Sequence, residues 1–101
     1  MSFSASSKDI SLTQTTLHAE CRKRDGTYVP SSLELNTCIE NKEGTLVWVN
    51  QGNFGNSANN ITLRGVNLEA DCRKTSGMYV SASINLDERI TNDDGVLKCN
   101  L

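Results

Sequence analysis

Residues 21–29 read CRKRDGTYV, and residues 72–80 read CRKTSGMYV. Two such stretches inside 101 residues matter for the fold only if the match continues at one constant offset, and it does. Upstream it pairs Phe3 with Phe54, Ser6 with Ser57, Ile10 with Ile61, Leu12 with Leu63, Leu17 with Leu68 and Ala19 with Ala70. Downstream it pairs Ser32 with Ser83, Leu35 with Leu86, Ile39 with Ile90, Asn41 with Asn92, Gly44 with Gly95 and Leu46 with Leu97, all without a gap. The chain is therefore two copies of one unit, residues 1–50 and 51–101. Two copies are too few to stack as a solenoid, and each alone is near the size at which a single core becomes marginal. The halves are expected to complete each other's cores in one domain spanning residues 1–101.

Within each copy the apolar residues alternate. In TLHAECRK, Leu17, Ala19 and Cys21 share one face while His18, Glu20 and Arg22 share the other, the period of a half-buried strand. Leu68, Ala70 and Cys72 repeat the pattern. Gly26 and Gly77 fall in polar stretches that read as hairpin turns, leading back into strands at Tyr28 and Tyr79. Pro30 fits an edge strand or a bulge. Asn36 and Asp87 read as N-caps of short 3₁₀ turns. Glu43-Gly44 and Asp94-Gly95 mark tight turns into final strands. The polar stretch 50–60, NQGNFGNSANN, joins the copies and is suited to a sharp bend. A hinge there is also a route to a domain-swapped dimer. The fold class is mostly β with little helix.

Composition excludes several functions. With 37% hydrophobic residues, 5% aromatics and a net charge of −2, the chain reads as an ordinary soluble domain. It has no apolar run long enough for a signal peptide or a membrane span, so a cytoplasmic or non-classically secreted protein without membrane insertion is expected. The cluster Arg22, Lys23, Arg24 is too small to track a phosphate backbone, and nucleic acid is not an expected partner. The single His18 sits on a polar strand face with no nucleophile marked beside it. The turn acids Glu40, Glu43, Asp93 and Asp94 do not form a convincing acid and nucleophile pair for glycoside hydrolysis. No enzyme activity, metal site or cofactor is expected.

The four cysteines, at 21, 38, 72 and 99, show no metal-binding spacing, and would permit three pairings in an oxidising compartment. Cys21 and Cys72 are equivalent and read as buried free thiols. Cys38 aligns with Arg89, and Cys99 with Trp48, so these two have no repeat-related role. Trp48, Tyr28 and Tyr79 read as packing residues. Asn60-Ile61-Thr62 matches a glycosylation sequon, a signal close to chance.

The motif S-[LI]-x-L-[ND]-x-x-I-x-N-x-[DE]-G-x-L occurs twice, in SLELNTCIENKEGTL and SINLDERITNDDGVL. With the tandem arrangement, the whole chain closely resembles the cyanovirin-N homologue family of lectins. The resemblance implies a pseudo-twofold β fold: two modules, each a three-stranded sheet plus a β-hairpin, with segments exchanged between the repeats. It implies a non-catalytic carbohydrate-binding protein recognising mannose-type oligosaccharides or high-mannose glycoproteins. That protein would be a monomer with an occasional swapped dimer. It places one shallow site at Ser2, Ala5, Ser6, Arg22, Arg24, Asn92 and Asp94. A second is placed at Glu40, Asn41, Glu43, Asn53, Asn56, Ser57, Arg73, Lys74 and Thr75. Carboxylates, amides and Arg suit sugar hydroxyls, which both donate and accept. The differences between Arg24 and Thr75, and between Ala5 and Asn56, predict unequal sites. Mutating Asn41 and Glu43 together, or Asn92 and Asp94 together, is expected to remove one site each with little loss of fold. The family's disulfide within each module closes on the positions of Cys21 and Cys72, but the partner positions are Ser7 and Ala58, so those bridges do not form. The alternatives are a preference for glucose-containing disaccharides and a protein-interaction module that has lost sugar binding.

Overall fold

The computed structural model describes residues 3–101. Its strands are β1 (Ser7–Thr13), β2 (Thr16–Arg22), β3 (Tyr28–Glu34), β4 (Ile39–Lys42) and β5 (Thr45–Trp48), then β6 (Ala58–Arg64), β7 (Asn67–Arg73), β8 (Tyr79–Asn85), β9 (Ile90–Asp93) and β10 (Val96–Cys99). Short 3₁₀ turns at Phe3–Ser6, Leu35–Thr37, Phe54–Ser57 and Leu86–Glu88 punctuate them. Each copy thus runs turn, three strands, turn, two strands. The sheets are β1-β2-β3 and β6-β7-β8, with separate hairpins β4-β5 and β9-β10.

The hairpins cross over. β9-β10, from the second repeat, packs on β3 and on the first 3₁₀ turn, while β4-β5, from the first, packs on β8 and on Phe54–Ser57. Each module is completed by the other repeat, in a body of 50 × 22 × 17 Å. The exchange follows from the alternation. β2 and β7 bury Leu17, Ala19, Cys21 and Leu68, Ala70, Cys72 on one face only, and that face needs a cover. Ile39 and Leu46 from one hairpin, and Ile90 and Leu97 from the other, join the core beside Phe3 and Phe54. Among the described residues no polar or charged residue is buried.

Local geometry follows the turn chemistry. Glu43 and Gly44 have φ of 49° and 89°, and Asp94 and Gly95 have 49° and 93°, the positive pair that a two-residue type I′ hairpin requires. Pro30 lies on edge strand β3, where its missing N–H costs no ladder bond. The register of β1 on β2 slips between Lys8 and Ser11, and that of β6 on β7 slips between Asn59 and Thr62. Each bulge carries a left-handed residue, Asp9 or Asn60. At the junction, left-handed Gln51 and Asn53 donate their N–H groups to the Thr37 and Asn36 carbonyls, so the connection is held bent.

Two expectations change. Asn36 and Asp87 are not the N-caps: Glu34 and Asn85 are, each accepting from the backbone N–H two residues on. Asn36 and Asp87 reach instead across the repeats, where Asn36 Oδ1 accepts from Gly55 N–H at 2.8 Å and Asp87 Oδ1 accepts from Ser4 N–H at 3.1 Å. Tyr28 and Tyr79 do not pack in the core. They are 41% and 47% exposed at the start of the edge strands, and Lys8 Nζ lies 4.3 Å from the centre of the Tyr28 ring. Cys38 and Cys99, which have no repeat-related role, line one hollow together. Other readings match. Cys21 and Cys72 are fully buried opposite Ser7 and Ala58, and Ser7 Oγ donates to Cys21 Sγ at 3.5 Å. Trp48 packs against the core, its Nε1–H donating to Glu88 Oε1 at 3.2 Å.

The two type I′ turns set a strict requirement. A Cβ on Gly95 would sit 2.7 Å from Val29 Cγ2 and 2.9 Å from Lys23 Cγ, and one on Gly44 would collide with Val80 Cγ2. Gly44→Ala and Gly95→Ala are each expected to destabilise the protein by about 2 kcal/mol, through φ strain added to the collision, read as a lowered urea midpoint at unchanged m.

Candidate functional site

Each end of the molecule is assembled where a crossed hairpin turn meets the β2-β3 or β7-β8 turn. At the first end, the Asn92 amide donates to Ser6 O at 3.3 Å, Ser6 Oγ at 2.9 Å and Arg22 O at 2.9 Å, while its Oδ1 accepts from Gly95 N–H at 2.8 Å. Asn41 repeats the arrangement at the second end, donating to Ser57 O at 3.2 Å, Ser57 Oγ at 2.8 Å and Arg73 O at 2.8 Å and accepting from Gly44 N–H at 2.8 Å. Both amide protons of each asparagine are therefore engaged. Their role is to hold three chain segments in register, and the expectation that they can be replaced at little cost to the fold does not survive this geometry.

The carboxylates beside them clamp the opposite turn. Asp94 Oδ1 accepts from Arg24 N–H at 2.8 Å, and the Arg24 guanidinium lies 3.8 Å from Asp94 and 3.6 Å from Asp93. The Lys98 ammonium, 2.8 Å away, and Arg24 hold the Asp93 carboxyl below its ordinary range. At the other end Glu43 Oε2 accepts from Thr75 N–H at 3.1 Å and also from the Thr75 hydroxyl. Position 93 corresponds to Lys42, so the two ends share a backbone and differ in charge.

At the first end Ser6, Arg22, Arg24, Asn92 and Asp94 surround an open hollow of about 460 Å³, with Lys23 and Gly26 completing its rim. Ala5 sits exposed in the adjoining 3₁₀ turn, and Ser2 lies outside the described residues. At the second end Asn41, Glu43, Ser57, Arg73 and Thr75 meet directly, and the Lys74 stem rests on Gly44. Glu40 bridges to Asn53, and Asn56 N–H donates to Asn53 O, so these three flank Asn41 rather than joining its network. Sequence reasoning passed over Lys23, although its repeat mate Lys74 was included, and over Asp93. The offset would have found the first.

His18 faces outward between Ser11 and Ser32. Among the described residues, no group of three or more His, Cys, Asp or Glu converges to hold a metal. No helix of the described residues is long and apolar enough to cross a membrane.

The CVNH domain family model matches residues 3–98, nearly the whole chain. The chain belongs to the CVNH family. It is 40% identical to a cyanovirin-N homolog from Tuber borchii, with 96% of this chain and 97% of the relative covered. Among solved structures it is similar to a MoCVNH3 variant in complex with (N-GlcNAc)4, at TM-score 0.92 and 29% identity, covering 96% of this chain and 95% of that one. It is also similar to microvirin in a mannobiose complex, at TM-score 0.85 and 32% identity over 98% of both chains. CVNH proteins are lectins, carbohydrate-binding and non-catalytic, and this CVNH chain is not an enzyme.

The asparagine networks give a direct test. Asn41→Ala and Asn92→Ala should each lower stability by about 2 kcal/mol, the loss of several partly buried hydrogen bonds. Arg24→Ala, which removes only exposed ion pairs, should leave the denaturation midpoint nearly unchanged. Urea titrations of the three variants decide it.

Proposed function

We propose that this CVNH protein is a monomeric lectin for mannose-type oligosaccharides, such as those of high-mannose glycoproteins, held in a shallow polar site at each end. The observation that carries this reading is the hollow at the Arg24–Asp94 turn. Its backbone is fixed by Asn92, so the remaining donors and acceptors are pre-positioned and cost little to order on binding. A pyranose presents neighbouring hydroxyls that donate and accept at once. The Asp94 carboxylate can accept from one while Arg24 and Lys23 donate to the next, and waters complete the shell. The mannobiose bound by microvirin, whose chain is 32% identical, supports mannose as the sugar, and the (N-GlcNAc)4 bound by the MoCVNH3 variant names the competing one.

The two ends are not equal in this reading. At the second end the Thr75 hydroxyl is already given to Glu43, and a ligand has to displace that bond. At the first end the Asp94 carboxylate and the Arg24 guanidinium are linked only by an exposed ion pair of 3.8 Å, a weak contact that a hydroxyl can join without breaking. The Arg24–Asp94 end is the tighter one.

An amide chemical-shift titration with α-linked mannobiose, repeated with chitotetraose and with a glucose-containing disaccharide, tests both points. Saturable shifts over residues 22–26 and 92–95 are expected first, followed by 41–44 and 73–76 at higher mannobiose. Shifts with chitotetraose or the glucose sugar alone would replace the ligand. Silence with all three would leave the fold without its lectin activity and turn the search to protein partners.

A further inference from the structure

Under the repeat, position 38 corresponds to 89 and position 99 to 48. The pair Cys38 and Cys99 therefore stands where the pair Arg89 and Trp48 stands in the other half. On the Trp48 side the indole is tied to Glu88, next to Arg89. On the cysteine side the two side chains line one hollow of about 330 Å³ with Leu33, Thr37 and Leu101. Both backbones are pinned beside them: Val49 N–H donates to Cys38 O at 3.0 Å, and Asn100 N–H, next to Cys99, donates to Arg89 O at 2.7 Å. The pair opens onto one hollow from fixed backbone, and that hollow gives a reagent access to both. Cys21 and Cys72 have neither property, being fully buried opposite Ser7 and Ala58.

We propose that Cys38 and Cys99 form a modification site that closes to one intrachain disulfide by exchange with a small-molecule disulfide of the oxidised-glutathione class. The half-buried Cys99 is the sulfur that reagent reaches first, since Cys38 is 1% exposed. Cys99 loses its proton to water, and its thiolate attacks one sulfur of the reagent, breaking the small S–S bond and releasing one thiolate. Cys38 then gives up its proton and attacks the Cys99 sulfur, expelling the second small thiolate. Two protein thiols are oxidised, one small disulfide is reduced to two thiols, and the two protons go to the leaving thiolates. The order agrees with the acidities. Burial pushes both thiols up, while the neighbouring Cys38 thiol and the charge of Arg89 ease ionisation of Cys99.

The bridge would tie the start of β4, in the first repeat, to the end of β10, in the second, one strand length from each end turn. It does not rest on the carbohydrate reading. The test is to treat the reduced full chain with oxidised glutathione, trap with acid and alkylate, then map peptides without reduction. A cross-linked Cys38–Cys99 peptide and a rise in Tm of about 10 °C or more are expected, because a long loop of the unfolded chain is closed. Both should vanish in Cys99→Ser, whose site is half-exposed and tolerant, and in Cys38→Ala. A stable glutathione adduct on Cys99 without closure would overturn the proposal. So would cross-links to Cys21 or Cys72, or cross-links only between chains.

Discussion

The Asn92 amide donates to the Ser6 and Arg22 carbonyls, 86 and 70 residues away in sequence, and the rest of the molecule depends on that reach and on its repeat at Asn41. A three-stranded sheet with one apolar face cannot stand alone in water, and its cover here comes from the other repeat. Apolar burial favours covering but not any one register. The asparagine supplies the register, because its two protons and its oxygen find partners together only when the hairpin turn, the 3₁₀ turn and the end of β2 or β7 are correctly placed. Gly95 and Gly44 belong to the same device. Their N–H groups close the asparagine ring of bonds, and their missing side chains let Val29 and Val80 approach.

What the sequence made legible followed from two signals of different reach. The constant offset and the period-two alternation in TLHAECRK gave strands, turns and a shared core, because these are local or strictly repeated properties. The exchange of hairpins came only through the family resemblance, since no local preference of TLVW or VLKC says which sheet it covers. The caps were misassigned for an instructive reason. Asn36 and Asp87 have the right chemistry for capping, but tertiary partners at Gly55 and Ser4 claim them, and Glu34 and Asn85 do the local work. Tyr28 and Tyr79 were misread because identity between repeats was taken for burial, and an edge strand can repeat an exposed residue as readily as a buried one. Of the candidate site, the contributing turns were legible, while the division of labour between framework and contact residues needed the hydrogen bonds.

The pairing of Cys38 with Cys99 was hidden by the way symmetry was applied. Comparing each position with its own repeat mate gives Arg89 and Trp48, two unlike residues, and suggests irrelevance. In an exchanged fold the useful comparison is between pairs across the repeats, and the pair 38 and 99 maps onto the pair 89 and 48. One half has an indole and a guanidinium at these positions, and the other has two thiols lining an open hollow. Volume explains part of this, since two small side chains leave the space that Trp48 fills in the other half.

The same distinction separates what the two ends hold in common from what they do not. Ser6 and Ser57, Asn92 and Asn41, Gly95 and Gly44, Val29 and Val80, and the stems of Lys23 and Lys74 are identical, and each touches backbone or fills space at the crossing. Arg24 against Thr75, Asp93 against Lys42, and Asp94 against Glu43 differ, and each presents its head group to solvent at the rim. Positions that fix geometry cannot change independently, because a lost bond there leaves others unmatched. Positions that only line the rim are free to differ in charge and length within the same cradle. A pseudo-symmetric scaffold can therefore present two chemically different ends without any difference in fold, because a few exposed side chains vary on a backbone that the crossing keeps fixed.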